Sequence, residues 1–284
     1  MTSRILVAGS AGDPCLALLV REAQSSGYEV LDARLGHSEH RTFRWCVEDG
    51  TAHLEGRLLD ADAAFLRIDA PAGPNRTGDG TSLAELLTDW ALSRPRVAML
   101  NRFKSRITDS RAATLSLARA CGLRIPKTEL SNAALRSAPP PSVRSITVEP
   151  LRQSELRVYV AGEESFAFSI EAPAPEGRVE RGCLIAPVPV PMALLDPIHS
   201  VVRALGMDFG SATFRTCPRT GELLFHEIDS SPSFARCDRL SGSAICRAIL
   251  KSLLEPPSAR RPTGRPPAIV EAPESDVVGL DRLS

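Results

Sequence analysis

Over the first hundred residues, short apolar runs alternate with helical stretches, and this pattern restricts the fold more than any other feature of the chain. Ile5–Ala8 is the first run, and the loop Gly9-Ser10-Ala11-Gly12 follows it. Asp13 then stands where an N-cap belongs, and Pro14 occupies the first helical position, where a missing N–H costs nothing. The spacing predicts a helix to about Ser26, with Gly27 as the left-handed residue that ends it. Tyr28–Leu31 and Ala63–Ile68 read as further strands, and Val97–Leu100 as the last of this part. Between them, Phe43, Trp45 and Val47 alternate with polar residues, and Asp49-Gly50 signals a hairpin into Ala52–Leu58. Ser82 and Glu85 form a capping box for a helix over Leu83–Leu92. Strands alternating with helices imply an α/β fold whose N-terminal part is a doubly wound, mostly parallel sheet. Gly9-x-x-Gly12 lacks the full phosphate-loop pattern, so a plain strand-to-helix turn and an anion cradle are both open for it.

Past residue 100 the pattern changes. A helix is expected over about Asp109–Cys121, ended by Gly122, and the proline-rich stretch Ala133–Arg144 reads as a linker. Two hairpins follow: Leu156–Val160 with Phe166–Ile170, and Phe209–Thr216 with Leu223–Asp229. A helix over about Ala193–Leu205 lies between them. The last helix is expected over Ser241–Leu254. The residues beyond Glu255 hold six prolines and little apolar pattern, which predicts a disordered tail.

Composition removes several function classes. The 34 basic and 34 acidic residues cancel, so nothing electrostatic points to nucleic acid or an anionic membrane. No apolar run reaches the roughly 20 residues of a membrane span. The N-terminus starts on a strand pattern without a signal-peptide core, so a cytoplasmic location is expected. The seven cysteines contain no C-x-x-C pair and are expected to be buried thiols rather than disulfides or zinc ligands. Only three basic residues are lysines (Lys104, Lys127 and Lys251), which limits what could serve as a phosphate-binding lysine.

Three ordered stretches carry a resemblance. Leu100-Asn101, Ser110-Arg111 and the run from Leu117 to Cys121-Gly122-Leu123-Arg124-Ile125-Pro126-Lys127-Thr128 resemble the opening segment of ATP-grasp ligases. Glu155-Leu156-Arg157-Val158-Tyr159-Val160-Ala161-Gly162 is similar to the hairpin of that superfamily. Leu205-Gly206-Met207-Asp208-Phe209-Gly210 through Phe225-His226-Glu227-Ile228-Asp229 is similar to its magnesium-holding strand pair. The resemblance is to the ligases that mature ribosomal peptides, including microviridin-type macrocyclases, and to glutathione synthetase-like ligases. It implies a pre-ATP-grasp domain over residues 1–100 and a connecting helix with a reduced central subdomain over 101–150. A C-terminal ATP-grasp subdomain over 151–255 and the tail over 256–284 complete the chain.

The resemblance also implies a chemistry. Such ligases use ATP and Mg²⁺ to phosphorylate a carboxylate, which an amine or hydroxyl then attacks, so carboxylates for the metal and cations for the phosphates are required. It puts the metal on Glu227 and Asp229, a catalytic role on Arg157, and cofactor contacts on Arg111, Glu149 and Glu155. From the residues alone, Glu227 and Asp229 share one strand face and suit a shared metal. A solvated strand end or an ion pair to Arg215 would satisfy the same pattern. Arg157 could grip phosphate or a substrate carboxylate, or pair with Glu155 or Glu171.

The sequence departs from the family in several places. Arg111 replaces a helix lysine, Thr213 stands where a magnesium aspartate belongs, and Asp229 closes a strand that usually ends in Asn. The stretch between Thr128 and Glu149 has neither a lysine nor a glycine, so it is expected to lack the phosphate-clamping lid. Three readings follow. One is an ATP-dependent ligase acting on a peptide or small carboxylate, completed by a partner protein of the same pathway or working as a homodimer. The second is an inactive ATP-grasp homologue that binds a peptide or partner, and the third is a generic Rossmann-like binding protein.

Overall fold

The computed structural model describes residues 2–36, 41–67, 79–131, 145–148, 154–171 and 183–255. The N-terminal elements are β1 (Arg4–Ser10), α1 (Pro14–Ser25) and β2 (Glu29–Leu35). A small three-stranded antiparallel sheet follows, made of β3 (Phe43–Trp45), β4 (Ala52–Leu54) and β5 (Arg57–Leu58). Then come β6 (Ala63–Arg67), α2 (Asp79–Leu92) and β7 (Ala98–Met99). The larger sheet has the order β2-β1-β6-β7 and its strands pair in parallel. Strand alternation sends Ile5 and Val7 to one face, where they pack with Leu16 and Leu19 of α1. Leu6 and Ala8 go to the other face, against Leu87 and Trp90 of α2.

Asp13 caps α1 as expected, its carboxylate accepting the Cys15 N–H at 2.8 Å. Gly9 explains itself here: it has φ of 146°, and a Cβ would lie 2.7 Å from the Arg67 carbonyl oxygen on the neighbouring strand. Close approach of two strands therefore requires this glycine, and the turn needs no anion to account for it.

Several expectations are corrected. β2 runs to Leu35 rather than ending at Leu31, and Val47 lies outside β3 and is exposed. The expected strand over 52–58 is broken at Glu55 and Gly56, both with positive φ, and folds back on itself as β4 and β5. α2 starts at Asp79, which puts Ser82 inside the helix rather than at its cap. Of the cysteines expected to be buried, Cys46 is exposed and Cys121 and Cys183 are only half-buried.

The second half holds a 3₁₀ turn (Arg106–Asp109), α3 (Arg111–Ala120), β8 (Thr128–Ser131) and β9 (Ser145–Val148), then β10 (Glu155–Ala161), β11 (Glu164–Glu171) and β12 (Leu184–Val188). It ends with α4 (Met192–Ala204), β13 (Phe209–Thr216), β14 (Leu223–Asp229), α5 (Ala235–Leu240) and α6 (Ala244–Leu254). β8 and β9 form an antiparallel ribbon in the stretch where no lid was expected. The linker read over Ala133–Arg144 and the tail from 256 lie outside the described residues.

β10 to β14 build an antiparallel sheet in the order β12-β11-β10-β13-β14. β12 falls in a proline-punctuated stretch that gave no strand signal. It tolerates Pro187 because it is an edge strand, where a missing N–H breaks no ladder. The helix expected over Ser241–Leu254 starts only at Ala244, and an unexpected helix, α5, precedes it across Gly242 (φ 62°) and Ser243 (φ 64°). Asp238, from α5, accepts the Cys246 N–H at 2.9 Å and so satisfies the first turn of α6.

One face of this sheet, with Val158, Val160, Ala212, Phe214, Phe225 and Ile228, packs on α3 and α4. On the other face, Tyr159 and Phe168 join the core formed by β1, α1 and α6. Among the described residues no helix is long and apolar enough to cross a membrane.

Candidate functional site

β10, β13 and β14 set the expected residues in cross-strand rows. Arg157 lies opposite Thr213, which lies opposite Glu227; Tyr159, Ser211 and Asp229 form the next row. Directly opposed residues share a face, so Arg157, Glu227 and Asp229 point to the same side of the sheet. Two strand spacings separate Arg157 from Glu227, a span of about 10 Å.

A β-bulge makes this placement compatible with the core. Thr213 pairs Glu227, yet Phe214 pairs Phe225, which leaves His226 as the extra residue. Without the bulge, simple alternation would put Phe225, Glu227 and Asp229 on one face. With it, Phe225 buries against Phe214 (ring centroids 5.8 Å apart) while Glu227 and Asp229 face outward. No sequence signal marks the bulge.

Both acids are exposed. Asp229 accepts the Ser231 N–H at 2.8 Å through Oδ1, and Glu227 has no hydrogen-bond or ion-pair partner among the described residues. Neither pairs with Arg215, which was the alternative open for them; Arg215 instead lies 3.6 Å from Glu155. Glu155 also pairs with Arg157, so the ion pair open for Arg157 is formed with Glu155. Thr213, between Arg157 and Glu227, is 3% exposed. Glu149 lies outside the described residues.

Arg111 sits at the start of α3, behind the Ser110 cap, and is 3.1 Å from Nδ1 of His226. Burial, reinforced by the charges of Arg215 and Arg111, pushes the pKa of His226 down to about 4. The imidazole is therefore neutral near pH 7. Arg157 and Arg215 thus flank one carboxylate, Glu155, while Arg215 and Arg111 both act on a neutral histidine. The Nε atoms of Arg111, Arg157 and Arg215 are all buried without a partner among the described residues. Buried N–H donors are normally satisfied, and a guanidinium can only donate. The cluster therefore suits a polyanion with many acceptor oxygens, and the two outward carboxylates suit a hard divalent cation beside it. Among the described residues no group of three or more His, Cys, Asp or Glu side chains could hold a metal, so any metal here would need further oxygen ligands from its partner.

Two further residues near this site had no role assigned from the sequence. Asn101 adopts φ of 56° and ties β7 to the start of β13 and the end of β14. Its Nδ2 donates to the carbonyls of Phe209 (2.7 Å) and Ser230 (3.0 Å), and its Oδ1 accepts from the N–H groups of Asp208 and Phe209 (2.8 and 2.9 Å). Arg67, at the end of β6, pairs with Asp13 at 2.8 Å, both almost fully buried, and donates to the Pro232 carbonyl. Asn101 was marked by its place in the opening motif. The Arg67–Asp13 pair joins positions 54 apart in sequence and left no local signal.

No protein-family model and no curated protein matches the chain. Solved structures do. A ribosomal-peptide-associated ATP-grasp ligase of Chryseobacterium gregarium, in complex with ADP and a leader and core peptide, superposes with a TM-score of 0.67 at 17% identity, covering 93% of this chain and 99% of that one. Macrocyclase MdnC of Microcystis aeruginosa, bound with precursor peptide MdnA, gives 0.63 at 14% identity over 89% of this chain and all of its own. The ATP-grasp ligase PsnB, complexed with a minimal precursor, Mg and ADP, gives 0.65 at 16% identity over 89% of this chain and 99% of that one. The chain has the ATP-grasp fold.

Proposed function

Starting from the ATP-grasp fold, we propose that this chain is an ATP-dependent ligase of peptide biosynthesis, with its nucleotide site over β10, β13 and β14. The cross-strand rows that put Arg157 on one sheet face with the outward Glu227 and Asp229, together with the orphaned Nε atoms of Arg111, Arg157 and Arg215, carry the reading. Arg111, Arg157 and Arg215 would hold the phosphates, and Glu227 and Asp229 the magnesium ion. Bound Mg-ATP would supply the phosphoryl group that activates a carboxylate. Around it, the arginine forks orient the phosphate oxygens and His226 stays neutral, adding no competing charge. The precursor, leader and core peptides bound in the structural neighbours support a peptide as the acid. We also propose residues 1–100 as a doubly wound pre-ATP-grasp domain, 101–150 as a reduced connecting part and 151–255 as the ATP-grasp subdomain.

Thr213 favours a second reading, an inactive homologue that binds a peptide or partner, because it removes one carboxylate from the expected metal set. Magnesium usually keeps several waters and takes only one or two protein carboxylates beside the substrate phosphates. Glu227 and Asp229 are therefore enough, and the ligase reading is preferred.

Millimolar Mg-ATP should raise the melting temperature, since a ligand bound only to the native state stabilises it by mass action. The Glu227→Ala/Asp229→Ala variant should lose that response. An unshifted wild-type melting curve would remove the ligase reading. A normal shift without nucleotide turnover in the presence of an acidic peptide would favour the inactive homologue.

A further inference from the structure

Arg111 is held differently from the other arginines of the site. Arg157 and Arg215 both lie against the Glu155 carboxylate, which offsets part of their charge. Arg111 has no carboxylate partner among the described residues; one of its terminal nitrogens instead meets Nδ1 of His226 at 3.1 Å. An arginine can only donate, so Nδ1 is the acceptor and the ring proton sits on Nε2. The Nε of Arg111 is buried and unpartnered among the described residues.

His226 owes this contact to the bulge. It is the extra residue of β14, between Phe225, which is packed in the core, and Glu227, which is exposed. Bulges re-aim side chains and are over-represented beside functional sites. Arg111 opens α3 behind the Ser110 cap, 115 positions away in the chain. The contact therefore ties the first residue of α3 to the strand that carries Glu227 and Asp229. A neutral acceptor fixes the plane of a guanidinium and leaves its charge whole, whereas a carboxylate would fix it and offset the charge. Holding a long side chain in place before the ligand arrives also removes part of the ordering cost of binding.

We propose that His226 is a positioning residue: its Nδ1 fixes the Arg111 guanidinium so that the remaining N–H donors meet the phosphate oxygens of the ligand. The inference rests on the nucleotide reading of this site, and its test uses two probes, Mg-ATP and magnesium tripolyphosphate, titrated into the full-length protein at neutral pH. His226→Leu removes the acceptor, while His226→Asn keeps an acceptor oxygen on Cγ, the atom that carries Nδ1. The leucine variant should bind both probes about ten-fold more weakly, the worth of one hydrogen bond to a charged group. The asparagine variant should restore most of that loss. Once Arg111→Ala is present, His226→Leu should weaken binding no further, because the two residues act as one unit. In ¹⁵N-histidine-labelled protein the Nδ1 signal of His226 should move on Arg111→Ala, a readout that does not depend on the leucine variant folding. An equal loss from His226→Leu with and without Arg111, an Arg111→Ala protein that binds as wild type, or an unmoved Nδ1 signal would overturn the proposal and leave the nucleotide reading standing. A wild type that binds neither probe overturns both. Tripolyphosphate binding without Mg-ATP binding, with the coupling kept, supports the positioning role and removes the nucleotide reading.

Discussion

His226 shows how one residue reports on the electrostatics of the site. Its proton is disfavoured first by burial and then by Arg215 and Arg111, which lowers its pKa to about 4; the ordinary value is about 6.5. Between those values the unfolded chain binds a proton that the folded chain refuses. This contribution to stability is therefore complete above about pH 6.5 and is lost as the pH falls toward 4. His226→Gln keeps a neutral polar side chain and should flatten that part of the pH dependence. Melting temperatures of both proteins from pH 7.5 to pH 4.5 would check this. Parallel curves would mean that the folded protein does not hold His226 below its ordinary pKa. Arg111, where the resemblance leads one to expect a lysine, has a related consequence: a planar fork can donate to the imidazole with one nitrogen and still offer others to an anion, which a compact ammonium does less well.

The elements that carry the site are fixed by contacts too tight for any larger side chain. At Gly210, on β13, a Cβ would meet the Asp229 carbonyl oxygen at 2.8 Å and Met207 Cε at 2.4 Å. The methionine can move aside, but the β14 backbone cannot without shifting Asp229. Gly210→Ala should therefore lower stability by about 1–3 kcal/mol, the range for overpacking, and should weaken the Mg-ATP response several-fold. Urea unfolding and nucleotide titration of the same variant would separate the two effects. A nucleotide response equal to wild type would show that Asp229 is not positioned through this contact. The bulge at His226 acts on the same ribbon in the other direction, turning Phe225 into the core while leaving the two acids outside.

At the scale of the whole molecule, the two halves share a core. Ile245, Ile249 and Leu253 of α6 pack in one cluster with Ile5 and Val7 of β1 and Leu16 and Leu19 of α1. The final helix thus covers a face of the first sheet, and Arg67 reaches from β6 to the carbonyl of Pro232. Ile249 is fully buried, and Ile249→Ala should cost about 2–5 kcal/mol, the loss of transfer energy plus the cavity left behind. Because the cluster spans both ends of the chain, calorimetry should show one transition moved to lower temperature. Two separated transitions, with only the later one displaced, would mean that the halves unfold independently.

The α/β class, the α1 cap at Asp13, the two long hairpins and the shared face of Glu227 and Asp229 were all legible in the residues, because each depends on local chemistry or on a period of two or 3.6 residues. β12 was hidden because an edge strand can hold a proline, and the break between α5 and α6 because the cap comes from Asp238, outside the second helix. The His226 bulge, the pairing of Arg157 and Arg215 with Glu155, the Arg111–His226 contact and the Arg67–Asp13 pair depend on positions brought together across the fold. Only tertiary packing decides which charges meet and which are left without a partner, since burial and strand register are properties of the folded whole.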